Sequence, residues 1–193
     1  MVELKAETDF TAKNDKFVEV TNQLAKLALT SSGETTDEMK SILDDLRIST
    51  GENISIGRME KLEGNGAYGQ YIHHDGKTGV LVQASAESSG EVMKQIAMHV
   101  AAAHPHPLGL TPDDIPSDLV EKERKFRIEQ AVESGKPEQI AEKMVEGGMR
   151  KFFSEVALLE QPFIMDQSKK IKELLSGDTT LVAFHRMQIG EGG

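Results

Sequence analysis

A chain of 193 residues is long enough for one ordinary domain or two small subdomains, each with its own core. Its net charge of −10, with no purely basic run, argues against a nucleic-acid groove. The lack of cysteine excludes disulfides, thiol catalysis and cysteine-ligated metals, and no apolar run reaches the ~20 residues of a membrane-spanning helix.

Residues 2–6 alternate apolar and polar, the pattern of a half-buried strand. A polar connector, Glu7-Thr8-Asp9-Phe10-Thr11-Ala12-Lys13-Asn14-Asp15, follows and carries one bare aromatic. From Phe17 the apolar positions Val20, Leu24, Leu27 and Ala28 share one helical face, and Ser31-Ser32-Gly33 breaks the pattern. A second helix is predicted over 37–46 with Thr36 as its cap. Residues 53–56 alternate again, Gly57 permits a bulge, and 59–62 extend the strand. After the Gly64-Asn65-Gly66 turn, 67–73 and 78–84 form a hairpin around Asp75-Gly76. A helix over 89–103 stops before Pro105 and Pro107.

Thr111-Pro112-Asp113-Asp114 starts a helical turn, and Ser117 is expected to cap a helix to about 134. Gly135-Lys136-Pro137 ends it and starts another, 137–156, with Pro at its first position. Their charge density leaves only a narrow seam to bury, so the pair reads as a projecting helical hairpin. Residues 161–165 are apolar and extended. Ser168 is expected to cap a short helix to Leu175, 180–189 form the last strand, and Gly190-Glu191-Gly192-Gly193 reads as a flexible end. The fold class is α+β: two related subdomains of small antiparallel sheets with packed helices, at 1–63 and 64–193, plus the antiparallel hairpin (coiled coil) at 116–157.

The two subdomains carry traces of one repeat. Residues 2–7 parallel 82–87, and Phe17, Val20 and Leu24 parallel Met93, Ile96 and Val100. The first copy has the longer connector, and the extra length falls at Asp9 and Phe10.

Few residues suggest chemistry. Lys122-Glu123-Arg124-Lys125-Phe126-Arg127 is flanked by Glu121 and Glu129 and reads as a solvated helix face. His73 and His74 would point to opposite faces of a strand, which disfavours a shared metal, and no His-x-x-x-His pair exists. His99 reads as a packed or partly exposed helix residue. The pairs Asp44-Asp45 and Asp113-Asp114 suit helix surfaces, and no phosphate loop follows Gly64-Asn65-Gly66. No nucleophile, base and oxyanion donor assemble, so no enzyme and no cofactor is expected. Phe10 is either folded under the next helix or presented to a partner; Ile164 and Met165 are either an edge or core segment or an exposed docking pair.

Thr8-Asp9-Phe10-Thr11-Ala12-Lys13-Asn14 resembles the Thr-Asp-Phe-x-Ala-Lys-Asn signature of the translation elongation factor Ts family. Further matches follow in order: Gly51-Glu52-Asn53-Ile54, Tyr71-Ile72-His73-His74, Gln95-Ile96-Ala97-Met98-His99-Val100-Ala101-Ala102, Ser134-Gly135-Lys136-Pro137 and Gln161-Pro162-Phe163-Ile164-Met165. Jointly they are specific and span nearly the whole chain. Family members begin with a three-helix, ubiquitin-associated-like module bearing Thr-Gly-Ala-Gly, and many continue into a C-terminal helical module. Neither is in this sequence, which is read as the family core, a truncated form.

The resemblance implies a cytoplasmic guanine-nucleotide exchange factor of protein synthesis. Its partner would be elongation factor Tu, contacted at the GTPase domain and the third domain, with no direct nucleic acid and no membrane. The family docks its Asp-Phe loop on the GTPase domain and disturbs magnesium and phosphate-loop contacts, so that GDP leaves. By resemblance Phe10 is the wedge and Asp9 positions it, while Thr50, Gly51 and His74 add contacts. Thr50 stands where a larger aliphatic residue is familiar. Ile164 and Met165 match residues that grip the third domain. The alternative is a chaperone-like interaction module acting through the helical hairpin without exchange. Oligomeric state is left open, a homodimer included.

Overall fold

A computed structural model describes residues 1–31 and 33–191, so the expectations for Ser32, Gly192 and Gly193 lie outside the described residues. The elements in order are β1 (Val2–Lys5), α1 (Asp9–Ala12), α2 (Asp15–Ala28), α3 (Asp37–Thr50), β2 (Ser55–Met59), β3 (Tyr68–Ile72), β4 (Thr78–Ala84), α4 (Gly90–Ala102), α5 (Ser117–Glu133), α6 (Glu138–Val156), β5 (Pro162–Phe163), β6 (Asp166–Lys170) and β7 (Leu181–Gln188). Short 3-10 turns occupy Pro112–Asp114, Leu158–Glu160 and Ile171–Glu173. β1 pairs with β2 and β5 with β6, both antiparallel, and a three-stranded sheet runs in the order β3-β4-β7. The class is α+β, as the alternation of periods predicted.

The chain forms two compact units. The first comprises Met1–Gly64, Tyr71–Leu81 and His185–Gly193, of which the described part ends at Glu191. Its core is Leu4 from β1, Phe17, Val20, Leu24 and Ala28 from α2, Met39, Leu43 and Leu46 from α3, and Ile54. These are the positions that the 3.6-residue period puts on one stripe of each helix. Full burial of each larger side chain stabilises by about 1.5–3 kcal/mol. α3 outruns its predicted end by four residues: Ile48, the apolar residue of that last turn, is 82% exposed and so lies off the buried stripe, while Arg47 Nε donates to Ile54 O at 2.7 Å. Gly51, at φ 72°, then stops the helix in the left-handed region where a Cβ is costly.

The β1–β2 ladder slips between Leu4↔Ile56 and Val2↔Met59, which places one extra residue in β2 at Gly57 and Arg58. A Cβ on Gly57 would lie 2.3 Å from Glu3 Oε2. The predicted bulge thus makes room for a buried carboxylate, on which Arg58 closes with its backbone N and Nε at 3.1 Å and Nη2 at 3.0 Å. β2 ends at Met59, so 60–62 do not continue it.

The second unit comprises Asn65–Gln70 and Val82–Phe184. Met93, Ile96 and Val100 of α4 are fully buried, the same stripe positions as Phe17, Val20 and Leu24 of α2. α5 and α6 form the expected helical hairpin, and the seam is narrow: Ala131 is the buried residue of α5, Met149 and Val156 those of α6. Three caps differ from expectation. Pro116 and Pro137 occupy the N-cap positions, so Ser117 is already helical and Pro137 is not. Ser168 caps nothing: it lies in β6, and its Oγ donates to Asp166 Oδ1 at 2.6 Å. The charged run Asp166 to Lys170 pairs with β5 through its backbone, and helical geometry starts only at Ile171, where Glu173 accepts from Lys170 N at 2.7 Å.

Candidate partner-binding surface

In the first unit the connector after β1 is not a plain loop. Thr8, extended at φ −126° and ψ 148°, stands at the N-cap, and its Oγ1 accepts from Thr11 N at 3.3 Å. The single helical turn α1 results. A lone turn nucleates poorly, so it needs outside partners. Four of its hydrogen bonds go to one side chain. Glu52 Oε2 accepts the backbone N–H groups of Glu7 at 3.0 Å and Thr8 at 3.1 Å. Glu52 Oε1 accepts the hydroxyls of Thr8 and Thr11, both at 2.6 Å. The hydroxyl hydrogen bonds from Thr11 and then Thr8 hold the Glu52 carboxyl below its usual range.

Ala12 packs against the first core, while Phe10 is 91% exposed. The reading of Phe10 as folded under the next helix therefore fails: the ring covers nothing in its own fold. Asp9, beside it, is held by Lys77 at 3.0 Å. Lys77 belongs to the tip between β3 and β4, whose turn closes with Asp75 Oδ1 accepting Lys77 N at 2.8 Å. That same bond is the first cause holding the Asp75 carboxyl low. His74 is exposed on this tip, with its ring centroid 4.2 Å from that of His73. The His73 ring pairs with the Tyr71 hydroxyl at 3.1 Å. Among the described residues no three His, Asp or Glu side chains gather as a metal site.

Thr50 and Gly51 close α3 directly before Glu52. The Thr50 hydroxyl donates to Leu46 O at 2.8 Å, so its own helix already engages it. Glu52 and Lys77, neither of which the sequence reading singled out, tie the turn bearing Asp9 and Phe10 to the end of α3, where Thr50 and Gly51 stand, and to the β3–β4 tip, where His74 stands. The signal for Glu52 was present: two hydroxyl residues three apart, with a Gly-Glu step elsewhere. Nothing in the sequence marked Lys77 beyond its place in a hairpin turn. Ile48, 82% exposed near the end of α3, is a further apolar group that the sequence reading missed.

In the second unit Ile164 and Met165 sit at the turn between β5 and β6, 44% and 51% exposed. The edge-or-core reading therefore fails for their side chains. The turn is anchored from beneath. His99, 2% exposed, accepts Ile164 N–H on Nδ1 at 3.2 Å, and its Nε2 meets Gln161 Oε1 at 3.0 Å. Gln161 Nε2 donates to Glu155 O at 2.7 Å and Pro105 O at 3.1 Å, which fixes the amide orientation. His99 therefore carries its single hydrogen on Nε2. Burial pushes its pKa down, and the Gln161 hydrogen bond offsets part of this. No helix among the described residues is long and apolar enough to cross a membrane.

The arrangement offers exposed apolar side chains on braced turns. Comparisons with known proteins agree in kind. The sequence profile described as Elongation factor TS matches residues 7–191. Elongation factor Ts of Haemophilus ducreyi is 42% identical over 197 aligned residues, covering all of this chain and 68% of that protein. Elongation factor Ts of Vibrio cholerae is 42% identical and that of Pasteurella multocida 41%, each with the same coverage.

Proposed function

The chain belongs to the elongation factor Ts family, and on that premise we propose that it binds elongation factor Tu and promotes release of GDP. The observation that carries the reading is Phe10, 91% exposed on a turn that two other segments hold in place. An aromatic side chain fixed in water is costly unless a partner covers it, and burying it there returns about 1.5–3 kcal/mol. Phe10 would wedge into the GTPase domain with Asp9 beside it, and Thr50, Gly51 and His74 would flank the contact. Ile164 and Met165 would dock on the third domain.

The activity is allosteric and makes no covalent bond. Linkage is reciprocal: the factor weakens nucleotide binding by the ratio by which nucleotide weakens binding of the factor. It must therefore prefer the nucleotide-free partner. Disturbance of the magnesium and phosphate-loop contacts of the GTPase is the route proposed, in the cytoplasm where translation runs.

The test is release of a fluorescent GDP analogue from elongation factor Tu with and without the chain. Dose-dependent acceleration, lost in Phe10→Ala, supports exchange; absence of both acceleration and binding to the nucleotide-free partner overturns it. The second reading, an interaction module acting through the hairpin, draws on exposed Phe126, Val132 and Ile140 of α5 and α6. Deleting the hairpin separates the two: exchange survives in the first case, and partner binding vanishes in the second.

A further inference from the structure

We infer that Glu52 is the positioning residue of this surface, one carboxylate that presets the conformation in which Phe10 docks. The inference deepens the exchange reading and rests on it. Four donors of the turn, two backbone N–H groups and two hydroxyls, converge on the two oxygens of Glu52 from 41 to 45 residues away. A carboxylate is the side chain that suits this, because it accepts at about four lone-pair sites and donates at none. Glutamine would lose half of that capacity and turn an N–H₂ toward donors. Aspartate would fall one methylene short.

The need for such a brace follows from the local structure. α1 is four residues long, with no buried side chain of its own. A turn that short cannot hold itself in water. Its internal restraint at the N-terminus is the Thr8 cap at 3.3 Å, and the Thr8 hydroxyl also serves Glu52. Hydrogen bonds to a charged acceptor are roughly twice as strong as neutral ones, and four on one group couple to each other. Glu52 is itself fixed by the left-handed Gly51 behind it, and its N–H reaches Thr50 Oγ1 at 3.4 Å. Thr50 and Gly51 thus matter through what they do to Glu52, beyond any contact of their own.

A brace of this kind acts on the population of the competent turn. Apparent affinity falls by the fraction of chains that hold that conformation, while the rate from the docked complex is unchanged. Glu52→Gln should therefore raise the concentration for half-maximal GDP release by roughly tenfold, with the maximal rate kept. In the free chain, amide hydrogen exchange of residues 7–13 should speed up by a similar factor, with protection of α2 and α3 unchanged. Thr11→Ser keeps the hydroxyl and should behave as the parent chain, whereas Thr11→Val should weaken the turn. Glu52→Gln with Thr11→Val should be little worse than Glu52→Gln alone, because both remove one network.

The experiment is release of the GDP analogue titrated for each variant, run beside hydrogen exchange of the free chains. Loss of protection at 7–13 together with the rise in half-saturation supports the inference. Either lost protection with unchanged half-saturation, or unchanged protection at 7–13, overturns it. A global loss of protection across α2 and α3 also overturns it, since Glu52 would then be holding the fold. A parent chain that releases no GDP marks failure of the exchange reading instead, and is recognised before any variant is compared.

Discussion

Lys77 Nζ lies 3.0 Å from Asp9 Oδ1, joining the β3–β4 tip to the turn that carries Phe10 across 68 residues of chain. Both side chains are about half exposed or more, so the pair is worth about 0–1 kcal/mol and is screened by salt. Lys77→Met should leave the melting temperature unchanged and lower GDP-release efficiency by about two- to fivefold at low salt. The deficit should shrink as ionic strength rises. A deficit independent of salt would show that Lys77 works by something other than its charge.

Phe10→Ala removes a ring that its own fold does not use. The urea midpoint should stay within error of the parent chain. GDP release should fall by about thirtyfold or more, the usual loss when a central interface aromatic is truncated. Comparable losses of stability and activity would make Phe10 a structural residue after all.

His99 makes stability depend on pH. The folded ring is neutral and its pKa is lowered, chiefly by burial. The unfolded chain therefore takes up the proton first, near the ordinary value of about 6.5. Stability should be full above that value and decline as pH falls through it toward the folded pKa. A protonated ring would also aim a second N–H at the amide of Ile164, which is already a donor. Urea unfolding at pH 8 and pH 5.5, compared with His99→Gln, reads this: the variant should lose about 1–3 kcal/mol at pH 8 and depend less on pH. Equal pH dependence in the two chains would acquit His99.

Glu3 is 4% exposed and ionised, and its pKa is lowered above all by the hydrogen bonds from Arg58, against the opposing effect of burial. Its contribution is present above the ordinary carboxyl value of 4.5 and fades as pH falls through the folded pKa. Glu3→Gln should cost about 2–3 kcal/mol at neutral pH, measured by urea unfolding, because Arg58 keeps its charge and loses its partner. A cost near zero would mean that Arg58 is satisfied by Gln188 O, to which Nη2 also donates at 2.7 Å.

The sequence exposed most where a period repeats against a core. The stripe of α2 and the alternation of β1 were legible because burial itself writes those patterns. Phe10 was legible for the opposite reason, as an apolar group amid polar ones. What escaped were structures made by single polar contacts at long range. Glu52 meets the turn α1 from 41 residues away, and Arg47 in the last turn of α3 reaches Ile54 O beyond the helix; neither contact is written in a periodic pattern. Ser168 was misread because Ser before a charged run looks like a cap, while backbone pairing of β6 with β5 decided the conformation. Ile164 and Met165 were ambiguous until His99 was seen to hold their turn from the buried side.

The separation between Phe10 and its braces has a consequence for a chain still being synthesised. Phe10 leaves the ribosome some forty residues before Glu52, and Lys77 follows later again. Until both have emerged, the aromatic rides on an unshaped connector with little affinity for anything in particular. If Phe10 docks as proposed, competence to dock would be switched on by the arrival of downstream residues, and an incomplete product ending before Glu52 would carry the aromatic without the means to aim it.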